Sequence, residues 1–336
     1  MFENYEFRQL RLNNQRDYDT VKNFLLSNGL AIEKMDYYIG VFNNDELLAG
    51  GGAYKNVIKC IAITSSERES NLANSLLTHL HNHVREKGYP NTFLFTKIIY
   101  EKVFSSLAFY PVGHSPDAVL LESKFDGISS YEKELAQFRV SGKSGCIVVN
   151  CNPMTSGHLY LIETSAAKVD RLHIFVVSEE QPFMPAIDRY NLVKKNTAHL
   201  KNVQVHFGSQ YIISQATFPS YFIKDASEVA RNQILLDLDI FARHIAPALN
   251  ITTRFLGDEP TDPATKQYNE LMQKVLPEHG IKVEIIPRKT YGDTPISASY
   301  VRKLFEKGDF DSITSIVPPQ TKEYLIEKYK KEKECL

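Results

Sequence analysis

Cysteine is scarce and scattered. The 336 residues include four, Cys60, Cys146, Cys151 and Cys335, with no C-x-x-C pair and no histidine companion at zinc-like spacing. This excludes a disulfide-stapled scaffold and a zinc finger, and it fits free thiols in a reducing compartment. An excess of either charge is equally absent: 39 Lys plus Arg stand against 40 Asp plus Glu, a formal net charge of −1, and neither half of the chain holds a basic surplus. A duplex-binding surface needs such a surplus to displace counterions, so nucleic acid is not an expected partner. The chain has no uninterrupted apolar run of the roughly 18 residues that a membrane span needs. Its first residues alternate charged and apolar side chains instead of forming the h-region of a signal peptide. The expectation is a cytoplasmic protein, with no membrane partner. A glycine-rich phosphate loop is missing as well: Gly142-Lys143-Ser144 resembles its end, but Gln137 stands where its first glycine is required, and the strand follows the lysine instead of preceding it.

What is present describes an ordinary globule, 43% hydrophobic and 24% charged, long enough for roughly two domains. Over 5–122 the patterns predict a mixed α/β unit, with helices over 17–27 and 71–87 and strands over 37–42, 47–54, 57–63, 92–96 and 119–122. The polar stretch 125–141 reads as a flexible boundary, placed near residue 140, which divides the chain into domains 1–140 and 141–336. Beyond it strands and helices alternate strictly: strands over 146–149, 172–177, 203–207, 252–256 and 283–286, with helices between them, including a long one over 226–245. Such alternation predicts a Rossmann-like parallel sheet with right-handed crossovers, which takes its ligand beyond the carboxyl ends of its strands.

Two segments of the second domain carry chemistry. Asn150-Cys-Asn-Pro-Met-Thr-Ser-Gly-His158 follows an apolar strand directly and opens a helix. Gly157 lets a ligand approach the backbone, and His158 stands in the first helical turn, where unpaired N–H groups and the positive end of the dipole favour an anion. Pro295-Ile-Ser-Ala-Ser-Tyr-Val-Arg302 opens another helix, with Ser297 or Ser299 as its cap and Arg302 one turn beyond Ser299, an arrangement suited to a polyphosphate. Either segment alone reads as a capped turn, and the pair in one α/β domain is far more specific. Other motifs are weaker. In His79-x-His81-x-His83 only the outer two share a helical face, and the basic run 328–333 reads as a solvated face.

T-x-G-H followed by I-S-x-S-x-x-R resembles the HxGH-type nucleotidyltransferase superfamily, with Thr155 where many members have the first histidine. Within it, the 150–158 segment, Phe175-Val-Val-Ser-Glu179, Tyr211-Ile-Ile-Ser214, Ala216-Thr-Phe-Pro-Ser-Tyr-Phe222, Arg243-His-Ile-Ala-Pro-Ala248 and Gly257-Asp-Glu-Pro260 closely resemble the citrate lyase ligases. In that family the N-terminal region is GNAT-like. Lys59-Cys-Ile-Ala-Ile63 matches the central strand, and Arg68-Glu-Ser-Asn-Leu-Ala73 matches the pyrophosphate loop, with Asn71 in place of its glycine. Ala108 replaces a second glycine, before Phe109-Tyr110.

The resemblance implies that ATP is a substrate, with Mg²⁺ bound mainly through phosphate oxygens and water. Acetate is activated as acetyl-adenylate and passed to the dephospho-CoA-type prosthetic-group thiol on the acyl carrier subunit of citrate lyase. His158, Thr155 and Arg302 are expected to be catalytic. Asn150, Asn152, Gly157, Arg189, Gly257, Asp258, Ser297 and Ser299 are expected to bind ATP, with Arg189 meeting the phosphates from across the cleft. The thiol belongs to the partner, so no nucleophilic cysteine is needed, although Cys151 lies inside the loop. Two alternatives stand beside this reading: a cofactor adenylyltransferase of the same superfamily, whose nucleophile is a phosphate, and a non-catalytic carrier-binding module.

Overall fold

In a computed structural model, which describes residues 5–67, 71–214, 216–217, 228–258, 262–288, 290–291 and 294–334, the strands expected over 37–63 join a further strand at 5–9 in an antiparallel meander. Its strands are β1 (Tyr5–Gln9), β2 (Tyr37–Asn43), β3 (Glu46–Tyr54) and β4 (Val57–Ile63). Asn44 and Lys55 take left-handed backbones in the two-residue turns, as tight hairpins require. Helix α1 (Gln15–Ser27) lies between β1 and β2, and helix α2 (Leu72–Glu86) leads to β5 (Phe93–Lys97), which runs parallel to β4 but pairs with it only at Val57 and Ile58. A short helix, α3 (Glu101–Ser105), then β6 (Tyr110–His114) and β7 (Ala118–Glu122) complete a seven-stranded sheet of order β1-β2-β3-β4-β5-β7-β6. Leu72, Leu76, Leu80 and Val84 of α2, one face at helical spacing, bury against Ile39, Ile58 and Leu94 of the sheet. On the other face α1 packs Val21 and Leu25 against Tyr38 and Cys60.

Contacts group the chain into two compact units, Met1–Gly127 and Ile128–Leu336. The stretch read as a flexible boundary is instead helix α4 (Gly127–Ala136), whose Tyr131 and Leu135 pack into the core of the second unit. Two apolar side chains one turn apart suffice to dock a helix whose other positions are polar. β1 and β6 were not expected either; both are short, and their side chains are largely exposed or half-exposed.

The second unit has a five-stranded sheet, β8 (Ser144–Val149), β9 (Arg171–Val176), β10 (Val203–Phe207), β11 (Ile251–Gly257) and β12 (Lys282–Ile286), all parallel, as the sequence predicts. The order is β10-β9-β8-β11-β12, so successive strands step one way from β8 and then, from β11, the other. The carboxyl ends of β8 and β11 flank the point where the order reverses, which is where doubly wound sheets open a crevice. Helices α5 (Ser156–Ala166) and α6 (Ala186–Asn196) cover one face, burying Ile162, Ala166 and Val193 on Ile147, Val149 and Ile174. Helices α7 (Glu228–Ile240) and α9 (Pro263–Val275) cover the other, with Ile234, Leu238 and Leu271 against Phe175 and Leu256; the short helix α8 (Ala246–Leu249) stands between them in sequence. Three C-terminal helices, α10 (Ala298–Lys307), α11 (Phe310–Thr314) and α12 (Pro319–Glu334), gather Val301, Ile313 and Leu325 around Met184 and Leu192. Among the described residues no helix is long and apolar enough to cross a membrane.

Candidate active site

The turn from β8 into α5 is held by reciprocal hydrogen bonds. Thr155 caps α5: its Oγ1 accepts the His158 N–H at 3.3 Å, and His158 Nδ1 accepts the Thr155 backbone N–H at 3.0 Å. A backbone N–H can only donate, so Nδ1 must be an acceptor and the ring proton sits on Nε2. Burial, helped by the Arg288 charge, pushes the imidazole down to about 4. At neutral pH His158 is therefore an uncharged N–H donor with its tautomer fixed by the helix cap.

Two arginines anchor the rest of the loop. Arg189, fully buried, donates Nη1 to the Asn150 carbonyl at 2.9 Å and to Asn150 Oδ1 at 2.7 Å, and Nη2 to the Glu179 carbonyl. Arg302, half-buried, donates Nη1 to the Asn152 carbonyl at 2.5 Å. Between these anchors Cys151 has a left-handed backbone with φ 50° and a buried thiol that burial pushes up to about 12, so it stays protonated. Asn152 Oδ1 is buried with no hydrogen-bond partner among the described residues, an acceptor waiting for a donor.

The second motif meets the first. Ser297 caps α10, accepting the Tyr300 N–H at 3.2 Å, and its hydroxyl lies 3.1 Å from that of Ser299. Asn150, Asn152, Thr155, Gly157, His158, Gly257, Asp258, Ser297, Ser299 and Arg302 all line one cavity of about 480 Å³ at the carboxyl ends of β8, β11 and β12. The expectation for Arg189 is not met. It lines no part of this cavity and acts from behind the loop, because its guanidinium is engaged by Asn150 and Glu179. Space is open at both glycines: a Cβ on Gly157 would meet Thr155 Oγ1 at 3.5 Å, and one on Gly257 only Leu161 at 3.9 Å. The backbone is thus left bare toward the cavity without any crowding that demands glycine.

Sequence reasoning missed Arg254, Arg288, Tyr268 and Asn269, which also line the cavity. Arg288 follows the end of β12 by two residues, and a basic residue just past a strand's carboxyl end was an available signal. Arg254 had none, being a lone charge within an otherwise uncharged strand. In the H-x-H-x-H run the outer two histidines share a face against Tyr37, His79 bonding its hydroxyl and His83 stacking on its ring, whereas His81 bonds Thr92. Among the described residues no group of three or more His, Cys, Asp or Glu is placed to hold a metal ion. Residues 68–70 of the expected pyrophosphate loop, 218–222 of one quoted segment and 259–260 of another lie outside the described residues.

Residues 144–325 match the family described as citrate lyase ligase C-terminal domain. The Escherichia coli (strain K12) [citrate [pro-3S]-lyase] ligase is 40% identical over 333 residues, 97% of this chain and 95% of that protein. A shorter stretch, 68 residues covering 20% of this chain, is 37% identical to 42% of a phosphopantetheine adenylyltransferase of Streptococcus pneumoniae. Among solved structures, a putative acetyltransferase of the GNAT family from Desulfovibrio desulfuricans is 15% identical and covers 35% of this chain and 97% of its own, with a TM-score of 0.29. On the family match and the near full-length identity, the chain belongs to the citrate lyase ligase family.

Proposed function

We propose that this chain is an AMP-forming acid–thiol ligase that acetylates the prosthetic-group thiol of citrate lyase, with ATP and acetate as co-substrates. The observation that carries this reading is the meeting of both sequence motifs in one cavity, with neutral His158, the two serines and Arg302 on its wall. Acetate is a poor acyl donor because its leaving group would be oxide. Its carboxylate oxygen therefore attacks the α-phosphorus of ATP, the bond from that phosphorus to the bridging oxygen breaks, and pyrophosphate leaves with acetyl-adenylate formed. The thiol then attacks the acetyl carbon, AMP departs, and the thiol proton is released.

The chain's own residues act mainly in the first step. His158 Nε2–H and the N–H groups opening α5 are donors fixed in place before charge develops on the phosphates, the kind of preorganisation whose loss costs on the order of a hundred- to a thousand-fold. Arg302 supplies charge matched to a polyphosphate in the ground state as well. Arg189 shapes Asn150 from behind and touches no substrate. Mg²⁺ accompanies ATP in this reading and is held through phosphate oxygens and water, with Asp258, an exposed carboxylate of the cavity wall, available to its hydration shell.

The partial likeness to a phosphopantetheine adenylyltransferase supports a second reading, in which a phosphate takes the place of acetate as nucleophile. One assay separates the two. Purified protein should release AMP from ATP only when acetate and deacetylated citrate lyase are both supplied; release that ignores acetate but needs a phosphorylated cofactor precursor favours the second reading.

A further inference from the structure

Arg254 stands apart from every other charged group of the cavity wall. It lies within β11, three residues before the strand's carboxyl end, is 3% exposed, and borders the cavity. Among the described residues its guanidinium makes one hydrogen bond, from Nη1 to Cys146 Sγ at 3.1 Å, and lies 4.7 Å from the Phe241 ring centroid. Neither partner is an anion. Burial pushes the Cys146 thiol up, so its sulfur is neutral at physiological pH. The carboxylate of Asp237 accepts the Ile213 N–H at 2.7 Å and the Tyr268 hydroxyl at 3.0 Å, so it acts on Arg254 through its charge alone and fills none of the guanidinium's N–H donors. A buried guanidinium needs its donors satisfied as well as its charge offset, and with one N–H given to a thiol the fork left over borders the cavity.

The surroundings specify the anion. Ile213, Leu256, Tyr268 and Met272 line the same cavity, and each is at least nine-tenths buried. An apolar enclosure around one fork of N–H donors suits a small carboxylate with a short alkyl group, whose two oxygens pair with the guanidinium while the alkyl group meets hydrocarbon.

We propose that Arg254 is the floor of the acceptor subsite: it binds the carboxylate of acetate, and the Ile213–Tyr268–Met272 wall sets the length of acid accepted. This rests on the ligase reading above. It makes Arg254 a substrate-binding residue of the first step, orienting the oxygen that attacks the α-phosphorus, and assigns it no part in holding the nucleotide.

The test is pyrophosphate–ATP exchange by the full chain, followed as a function of acetate and of ATP separately. Arg254→Lys keeps a charge but loses the fork, and should raise KM for acetate on the order of ten-fold or more, one lost charge-assisted pairing, with KM for ATP changed less than about two-fold. Met272→Ala, which leaves the arginine in place, should move the propionate-to-acetate preference toward propionate by about five-fold or more, since roughly a methylene's worth of room is worth that much in an apolar pocket. Unchanged KM for acetate in a folded Arg254→Lys protein, or a KM effect falling on ATP instead, overturns the assignment, as does an unmoved acid preference in Met272→Ala. If Arg254→Lys does not fold, the Met272→Ala result decides alone. Wild-type exchange that ignores acetate removes the ligase reading itself, so the two failures are told apart.

Discussion

At the scale of single residues, the proposed chemistry turns on the protonation state of His158. With Nδ1 committed to the Thr155 N–H and the ring held down to about 4, the proton on Nε2 stays in place through the neutral range and no positive charge forms there. Exchange activity should therefore show no acid limb from this residue near the ordinary histidine value of about 6.5, losing it only as pH approaches 4. A pH profile of the exchange reaction checks this, and a limb near 6.5 that His158→Gln abolishes would contradict it. His158→Ala should slow exchange by about a hundred-fold with the fold retained, because the lost donor acts chiefly on charge that appears in the transition state. Arg189 is the opposite case. Its guanidinium joins Asn150 to Glu179 inside the protein, so Arg189→Lys, which cannot reproduce the fork, should cost roughly 2 kcal/mol or more of stability, measured by urea unfolding. His158 was legible because strand, turn and helix cap frame it. Arg189 was not: an arginine near a helix start reads as a phosphate contact from across the cleft, and only the fold reveals that its guanidinium is turned into the loop.

At the scale of elements, the two helix starts were the most legible features. Ser, Thr and Gly next to an apolar period mark a capped N-terminus in the sequence, and the structure places Thr155 and Ser297 as the caps of α5 and α10. Gly157 separates function from stability. An added methyl makes only ordinary contacts, and alanine is the better helix former, so Gly157→Ala should leave the melting temperature unchanged or raised while exchange falls, since the methyl lies beside Thr155 and Ile296 on the cavity wall. Parallel loss of stability and activity would show that the glycine serves folding instead. In the first unit Ala108 has a left-handed backbone, φ 61°, which a glycine adopts without strain, so Ala108→Gly should stabilise by about 1 kcal/mol. Calorimetric melting checks that sign. Helix α4 was misread because its two docking residues, Tyr131 and Leu135, are embedded among Ser, Glu and Lys, and a polar average concealed a real i, i+4 stripe.

At the scale of the molecule, strict alternation was enough to read the parallel sheet, and reversal of strand order placed the cavity where the motifs pointed. What alternation cannot show is which buried polar groups the helices cover. His173 and His206, hydrogen-bonded to each other at 3.0 Å beneath that cover, are held by burial at about 3 and about 4, alongside His158. The unfolded chain takes up protons at these positions through pH 6.5 while the folded chain does not, so their contribution is full above that value and is lost as pH falls from 6.5 toward 4. The urea midpoint should accordingly be lower at pH 5 than at pH 7.5, and equal midpoints would contradict these assignments. In the proposed function the second unit builds a complete adenylation site which needs the lyase only as acceptor, because the groups assigned to the first step lie between Asn150 and Arg302. The most direct measurement is incorporation of labelled pyrophosphate into ATP by the purified chain with citrate lyase absent. Exchange that appears with acetate and vanishes without it is the expected result; exchange that begins only when the lyase thiol is added would contradict the account.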